Sequence, residues 1–443
     1  MPGTFRSQRP ALCAFAMFAL VGLGKAAPVP KTPAAPKPLP DAVVKAWVEA
    51  GAEVGWLETD EQGEVRFRAG GAGKAGEVPG FRLQRQWKGA LSKLPAPTSE
   101  FGLDLTFTPM TDAGLTELAG MKYLHTLELC SASVTDVGLR ELVGLTGLRT
   151  LSLWRTEVTD AGLKELAACS GLERLYLHHT RVTDAGLSEL ALLKKLRFLD
   201  LGETKVTDAG LKELAEVKSL RTLKLFDTKV TNDGLKELAA LENLTALDLA
   251  RTRVTDAGVA ELTGVKGLRS LSLSEARVTD EVIGQLAALP NLDTLDLSRT
   301  KVSDVGLKEI TGLKALRSLD LSQTQVTDAG VTELIRLKDL WSLNLGVTQV
   351  TDAGVTELAE MKGLHELNLF ATQVTDAGLK ALAEMKEVRS LWIGATGVTD
   401  TGLKELAGMK SLRFIQLWQS KVTDDGKKEL RRALADLETD DWP

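Results

Sequence analysis

One spacing constrains this chain more than any other feature. A valine followed by Thr-Asp returns every 24 residues without insertion, at Val134, Val158, Val182, Val206, Val230, Val254, Val278, Val302, Val326, Val350, Val374, Val398 and Val422. Met110 opens the series, Val230 is followed by Thr-Asn and Val302 by Ser-Asp. The consensus is V-T-D-A-G-L-K-E-L-A-x-L-K-x-L-R-x-L-x-L-x-x-T-x. Self-similarity at a fixed period means stacked units, each too small to bury its own apolar face. The chain must therefore build an elongated array.

Each unit divides in two. In Leu148-Arg-Thr-Leu151-Ser-Leu153 the leucines at 151 and 153 alternate with polar residues, the period of a strand. In Gly138-Leu139-Arg-Glu-Leu142-Val-Gly-Leu145 they fall three apart, a helical spacing. Thr135 or Asp136 supplies an oxygen to cap that helix. Strand, turn and helix repeated in parallel predict an α/β solenoid, with strands on the concave side and helices on the convex side.

The segment L-x-x-L-x-L-x-x-T resembles the leucine-rich repeat family, with threonine where that family usually has asparagine. T-D-x-G-L-x-x-L is similar to the cysteine-containing subclass found in F-box proteins and long bacterial arrays; only Cys169 matches that subclass's cysteine. The resemblance covers about 330 residues and about fourteen repeats. It implies a horseshoe that binds a partner, usually a protein. No F-box signature is present, so no ubiquitin-ligase role is carried over.

Three ladders read as structural. Thr156, Thr180, Thr204 and their successors are expected to bond the backbone of neighbouring turns. Asp136, Asp160, Asp184 and Asp208 stand at helix starts, where a carboxylate suits cap and dipole better than calcium. Gly162 and Gly186 are expected to allow close helix packing. One unit departs, with Ala276 for threonine, Val282 for glycine, and Pro290; it predicts a local change of curvature. Lys427, Lys428, Arg431 and Arg432 make the last helix polar, as a terminal cap requires.

Outside the array the reading is by segment. Residues 1–26 carry Arg6, Arg9 and an uncharged apolar run to Gly24 ending in small residues, the layout of a signal peptide. Residues 27–40 hold Pro28, Pro30, Pro33, Pro36, Pro38 and Pro40 and read as a semi-rigid spacer. Residues 41–109 are assigned to an N-terminal cap: a helix over 41–50, then strands Ala52–Leu57 and Glu64–Arg68 around a D-E-Q-G turn. Its Gly71-Ala-Gly73-Lys-Ala-Gly76 is followed by Pro79 and Gly80 rather than a helix, so it is no dinucleotide loop. Residues 110–443 are the array with its C-terminal cap. No membrane span is expected after the signal.

The net charge of −6 argues against nucleic acid, and four histidines leave little room for a histidine-rich metal centre. Three cysteines make no disulfide scaffold. No nucleophile elbow, HExxH, P-loop or paired-cysteine signature occurs, so no catalytic, cofactor or metal residues are assigned.

Function should sit on the concave strand positions that alternate with the leucines. Eight of the eleven aromatic residues from Met110 onward fall there. One group is Trp154, Tyr176, Phe198 and Phe226, with His178 and His179 among them. The other is Phe370, Trp392, Phe414 and Trp418, with Trp341 near. Six strand spacings of about 4.8 Å would set Phe226 and Phe370 roughly 29 Å apart, across a small polar trough of Asp248, Ser272, Asp296, Ser298, Asp320, Ser322 and Asn344. Trp154, Tyr176, His178, Phe198, Phe226, Phe370, Trp392, Phe414 and Trp418 are the partner-binding candidates, expected to stand exposed. His178, His179, Glu203 and Asp227 read as ladder charges rather than a metal site. Arg181, Lys205, Lys229, Arg253, Arg277 and Lys301 form a basic ridge expected to balance the aspartates. The reading is an exported, non-enzymatic protein that binds a protein partner, without a cofactor. Its alternatives are binding of a glycan or envelope polymer, and a passive structural array.

Overall fold

The computed structural model describes residues 35–60, 63–87 and 89–440. The expected export signal, and residues 27–34 of the spacer, lie outside them.

The repeating unit folds as its two periods predict. In one unit Thr150–Ser152 is a strand and Asp160–Leu166 a helix. Leu151 pairs in register with Leu175, then Leu199, Leu223, Leu247 and Leu271 along consecutive parallel strands. Their side chains, with those of Leu153, Leu163 and Leu166, are buried in one continuous core. The convex segments are shorter than the leucine spacing suggests. Asp136–Leu139 gives way to the 3₁₀ turn Arg140–Gly144, and Asp184–Leu192 is 3₁₀ throughout. A tighter helix reaches the next strand within a unit this small.

The strand ends in a turn whose third residue is left-handed. Such residues stand 24 apart from Phe107 to Gln419, fourteen in all, and none is glycine. Arg155 is one, with φ 54°. The cost of a side chain there is on the order of 1 kcal/mol, and hydrogen bonding offsets it. The Thr156 N–H and hydroxyl both donate to the Leu153 carbonyl, at 3.1 and 2.6 Å. The threonine ladder thus closes its own turn. It does not reach neighbouring ones, because the turn brings that carbonyl directly under the hydroxyl.

The aspartate ladder does join units. Thr159 donates its N–H to Asp136 Oδ1 at 2.8 Å and its hydroxyl to Oδ2 at 2.6 Å. The Thr159 oxygen then accepts from Ala161 N–H at 3.3 Å, capping the next helix. Threonine is the cap, and aspartate holds the cap of the following unit. The same pair of bonds recurs from Asp112–Thr135 to Asp400–Thr423. Glycine leaves the carboxylate its room, since a Cβ at Gly162 would sit 2.5 Å from Asp136 Oδ1. In the departing unit the staple survives, with Thr279 bonded to Asp256 at 2.9 Å through both groups. Its helix starts one residue late, at Glu281, without a side-chain cap.

The N-terminal region is built onto the same sheet. Helix α1 (Asp41–Glu49) precedes strands β1 (Glu53–Thr59), β2 (Val65–Ala69) and β3 (Val78–Arg82). Strand β1 pairs antiparallel with β2 and β3. Strand β3 then runs parallel to β4 (Phe101–Asp104), and β4 to β5 (Leu124–Glu128). The sheet therefore reads β2-β1-β3-β4-β5 and continues unit by unit. Leu103, Leu105, Phe107 and Thr108 already occupy the repeat's strand and turn places, so the repeating frame reaches back to Phe101, ahead of the first valine-type triplet. Trp47 of α1 stacks on Phe81 of β3 at 4.3 Å, both fully buried, which closes the first core layer. At the other end the helix Asp424–Ala433 is followed by Glu438–Thr439, paired on Phe414–Gln416. Asp440 accepts the Leu417 and Trp418 N–H groups at 2.9 and 2.8 Å.

Candidate functional site

The β1–β2 hairpin does more than extend the sheet. Its tip crosses onto the concave face. Gly63 turns with φ 84°, and its carbonyl accepts the Tyr176 hydroxyl. Glu64 pairs with Lys224 at 2.7 Å. Gly63 lies directly on the Phe198 ring, leaving no space for a Cβ. Tyr176 and Phe198 are consequently only 3% exposed each. The expectation that they form an open pad is corrected: the chain covers them with its own hairpin. Their rings still meet, at 4.7 Å between centroids.

Trp154 and Phe226 of this group are half-buried. Trp154 stacks on His178 at 4.6 Å, and His178 approaches Phe226 at 6.0 Å across the strand that bears Gly202. His178 is buried rather than exposed, with Nδ1 3.1 Å from Asp200 Oδ2. His179 instead pairs with Glu203 at 2.9 Å, and Asp227 with Arg251. Glu275 and Arg299 continue this edge ladder at 2.6 Å. Histidines 178 and 179 thus face different carboxylates, His178 Nδ1 without a hydrogen bond, and among the described residues no three metal-ligating groups gather. Of the basic ridge, Arg181 pairs with Glu157; the aspartate ladder is engaged by threonine instead.

The second aromatic group stands on the strands of the last units. Phe370 and Trp418 lie two strands apart, yet their rings are nearly parallel, 8° between planes and 6.1 Å between centroids. They lean together over Gly394, which holds the same position on the strand between them. Trp392 meets Phe414 at 5.5 Å, and Trp341 stacks on His365 at 5.3 Å. Trp418 is 41% exposed, whereas Phe370, Trp392 and Phe414, expected to stand exposed, are half-buried by packing on neighbouring rings.

The trough between the groups is a hydrogen-bonded row. Ser272 donates to Asp296 at 3.1 Å and Asn344 to Asp320 at 2.7 Å, while Asp248, Asp296 and Asp320 each accept a backbone N–H two residues on. Burial pushes the Asp248 carboxyl up to about 6. Burial, reinforced by Asp296, does the same to Asp320.

Sequence reasoning missed the cavity beneath the hairpin. It measures about 770 Å³ and is lined from both sides, by Phe67 and Arg82 of the N-terminal region and by Glu128, Trp154 and His178 of the array. Glu128 stands at a concave strand position, but nothing periodic marks it. Cys130 also borders the cavity. Cys130 and Cys169 are both free and buried, and burial raises each thiol, that of Cys169 to about 11.

Comparisons with known proteins agree with this geometry. Family models described as leucine rich repeat match residues 266–326 and, in a second model, 193–215, 218–239, 240–262 and 364–383. No curated protein sequence matches the chain. An internalin of Listeria monocytogenes is similar in structure, with TM-score 0.53 and 23% identity, covering 74% of this chain and 89% of its own. A leucine-rich repeat protein of Leptospira interrogans gives TM-score 0.52 and 22% identity, covering 79% and 97%. At these identities the likeness is one of fold. Among the described residues no helix is long and apolar enough to cross a membrane. The repeats, their register and the matching family models together identify the array as leucine-rich repeats.

Proposed function

We propose that this is an exported, non-enzymatic binding protein that takes a protein partner on the C-terminal part of its concave face. The observation that carries the reading is the aromatic platform of Phe370, Trp392, Phe414 and Trp418, with Trp418 41% exposed. Aromatic side chains on a rigid surface bury much area at little entropic cost, and such residues dominate binding energy. The N-terminal aromatic group, with Trp154, Tyr176, His178, Phe198 and Phe226, is secondary in this reading, because the hairpin already takes its centre. Export rests on Arg6, Arg9 and the apolar run to Gly24.

A crosslinking pull-down from native extract supplies the partner, and titration then tests the surface. Trp418→Ala and Trp392→Ala should each weaken binding by about 2 kcal/mol, some thirtyfold in Kd. Circular dichroism should be unchanged. Recovery of polysaccharide instead of protein would turn the reading to glycan binding. Unchanged affinity in both variants would remove the platform from the mechanism.

A further inference from the structure

The cavity under the hairpin combines three properties that independent observations supply. It is large enough for a small molecule, about 770 Å³. It has an aromatic wall, where Trp154 stacks on His178 and Tyr176 stands beside them. It also holds a carboxylate with bonding capacity to spare: Glu128 is 8% exposed, and its Oε1 has no hydrogen-bond partner.

Of the other charges lining the space, all but Arg85 are matched. Asp104 accepts from Arg82 at 2.8 Å, Arg66 pairs with Asp60 at 2.9 Å, and Glu64 pairs with Lys224 at 2.7 Å. Arg82 is further occupied by lying over the Phe67 ring at 4.2 Å. Arg85 stands exposed at the rim. What the interior lacks is a positive partner for Glu128. A buried carboxylate without one is costly, and an organic cation supplies both the charge and the donors. The aromatic faces around it favour the same ligand through their quadrupoles.

We propose that this cavity is a binding site for a small organic cation of the arylalkylammonium type, with Glu128 as its counter-ion and Trp154 as its aromatic wall. The hairpin is the roof of that site. The proposal uses no residue of the C-terminal platform, so the two readings stand or fall separately.

Proton linkage follows from the setting. Burial raises the Glu128 carboxyl well above the usual range, Asp104 and Glu64 add to this, and the Ser152 hydroxyl opposes it. Arg82 and Arg66 face the same space, as does His178. An ammonium seated beside Glu128 favours the carboxylate, so the Glu128 proton passes to buffer as the cation binds.

The test is isothermal titration of the purified full chain with phenylethylammonium chloride. Its neutral analogue 2-phenylethanol and the anion phenylacetate serve as comparisons. The ammonium should bind at least tenfold more tightly than either. Glu128→Gln, close to isosteric, should weaken it at least tenfold. Titrations in two buffers of different ionisation enthalpy should reveal proton release in the native chain and none in Glu128→Gln. Trp154→Leu should weaken binding severalfold yet keep the proton release. Absence of ammonium binding, equal binding of phenylacetate, or unchanged affinity in Glu128→Gln would overturn the assignment.

Discussion

At the scale of single residues, the stability of this array rests on groups that each serve the next unit. Asp208 accepts the Thr231 N–H at 2.8 Å and its hydroxyl at 2.6 Å. Asp208→Ala strands both donors and should cost about 1–3 kcal/mol, read as a lower urea midpoint. The chain contains its own milder variant. Asn232 accepts the Thr255 N–H at 2.9 Å and donates to its hydroxyl at 2.8 Å, and there Thr255 makes no side-chain cap. Asp208→Asn should therefore lose less than Asp208→Ala. Asp248 works in the opposite sense. Its folded carboxyl is raised from 3.8 to about 6, chiefly by burial, so the folded state binds its proton more tightly than the unfolded chain does. The stability this brings is complete below about pH 4 and disappears as pH rises through about 6. Asp248→Asn keeps an acceptor for the Ala250 N–H, as Asn344 does for Gly346. Relative to the native chain, its melting temperature should gain between pH 4.5 and pH 7.5, by an amount worth on the order of 1 kcal/mol.

At the scale of elements, strands and hairpin respond differently to substitution. Leu223 lies between Leu199 and Leu247 in the leucine layer and is fully buried. Leu223→Ala should cost roughly 2–5 kcal/mol through lost transfer and an unfilled cavity. Exposed Lys236→Ala should change the denaturation midpoint little. The hairpin reaches the concave strands through its tip, at Gly63 and Glu64. A side chain at Gly63 would meet the Phe198 ring and must also hold a left-handed φ. Gly63→Ala should thus lift the tip from the concave face. The chain's two tyrosines report this directly, since Tyr123 is 50% exposed and Tyr176 only 3%. Nitration should reach Tyr123 alone in the native chain, and both in Gly63→Ala. Equal protection of Tyr176 in the variant would mean that the tip does not depend on the absent side chain.

At the scale of the whole molecule, the array is a rigid sheet whose two ends differ in state. The N-terminal end of the concave face is enclosed by the hairpin, and the C-terminal end bears the aromatic platform. On the proposed reading, residues 1–26 direct export. N-terminal sequencing of native protein should begin near Ala26 to Pro28, as cleavage after the apolar run requires. Recovery of soluble protein starting at Met1 would count against export.

The period of 24 residues determined the array by itself, along with its leucine core and its strand-and-helix alternation. In a solenoid each unit contacts copies of itself, so burial at one position is repeated at all, and the sequence states it many times over. The aspartates, threonines and glycines were equally legible as ladders. Their division of labour was not, because the bond from Asp136 to Thr159 crosses between units while that from Thr156 to Leu153 does not. The left-handed turns carry Phe107, Arg155, Asp227 and Val347 alike, so residue type could not announce them. The hairpin on Tyr176 and Lys224, and the cavity it roofs around Glu128, were decided by tertiary structure alone. Those contacts join residues 113 and 160 positions apart. Each occurs once, between an element outside the repeat and a face the repeat presents many times, and a contact made once leaves no periodic trace.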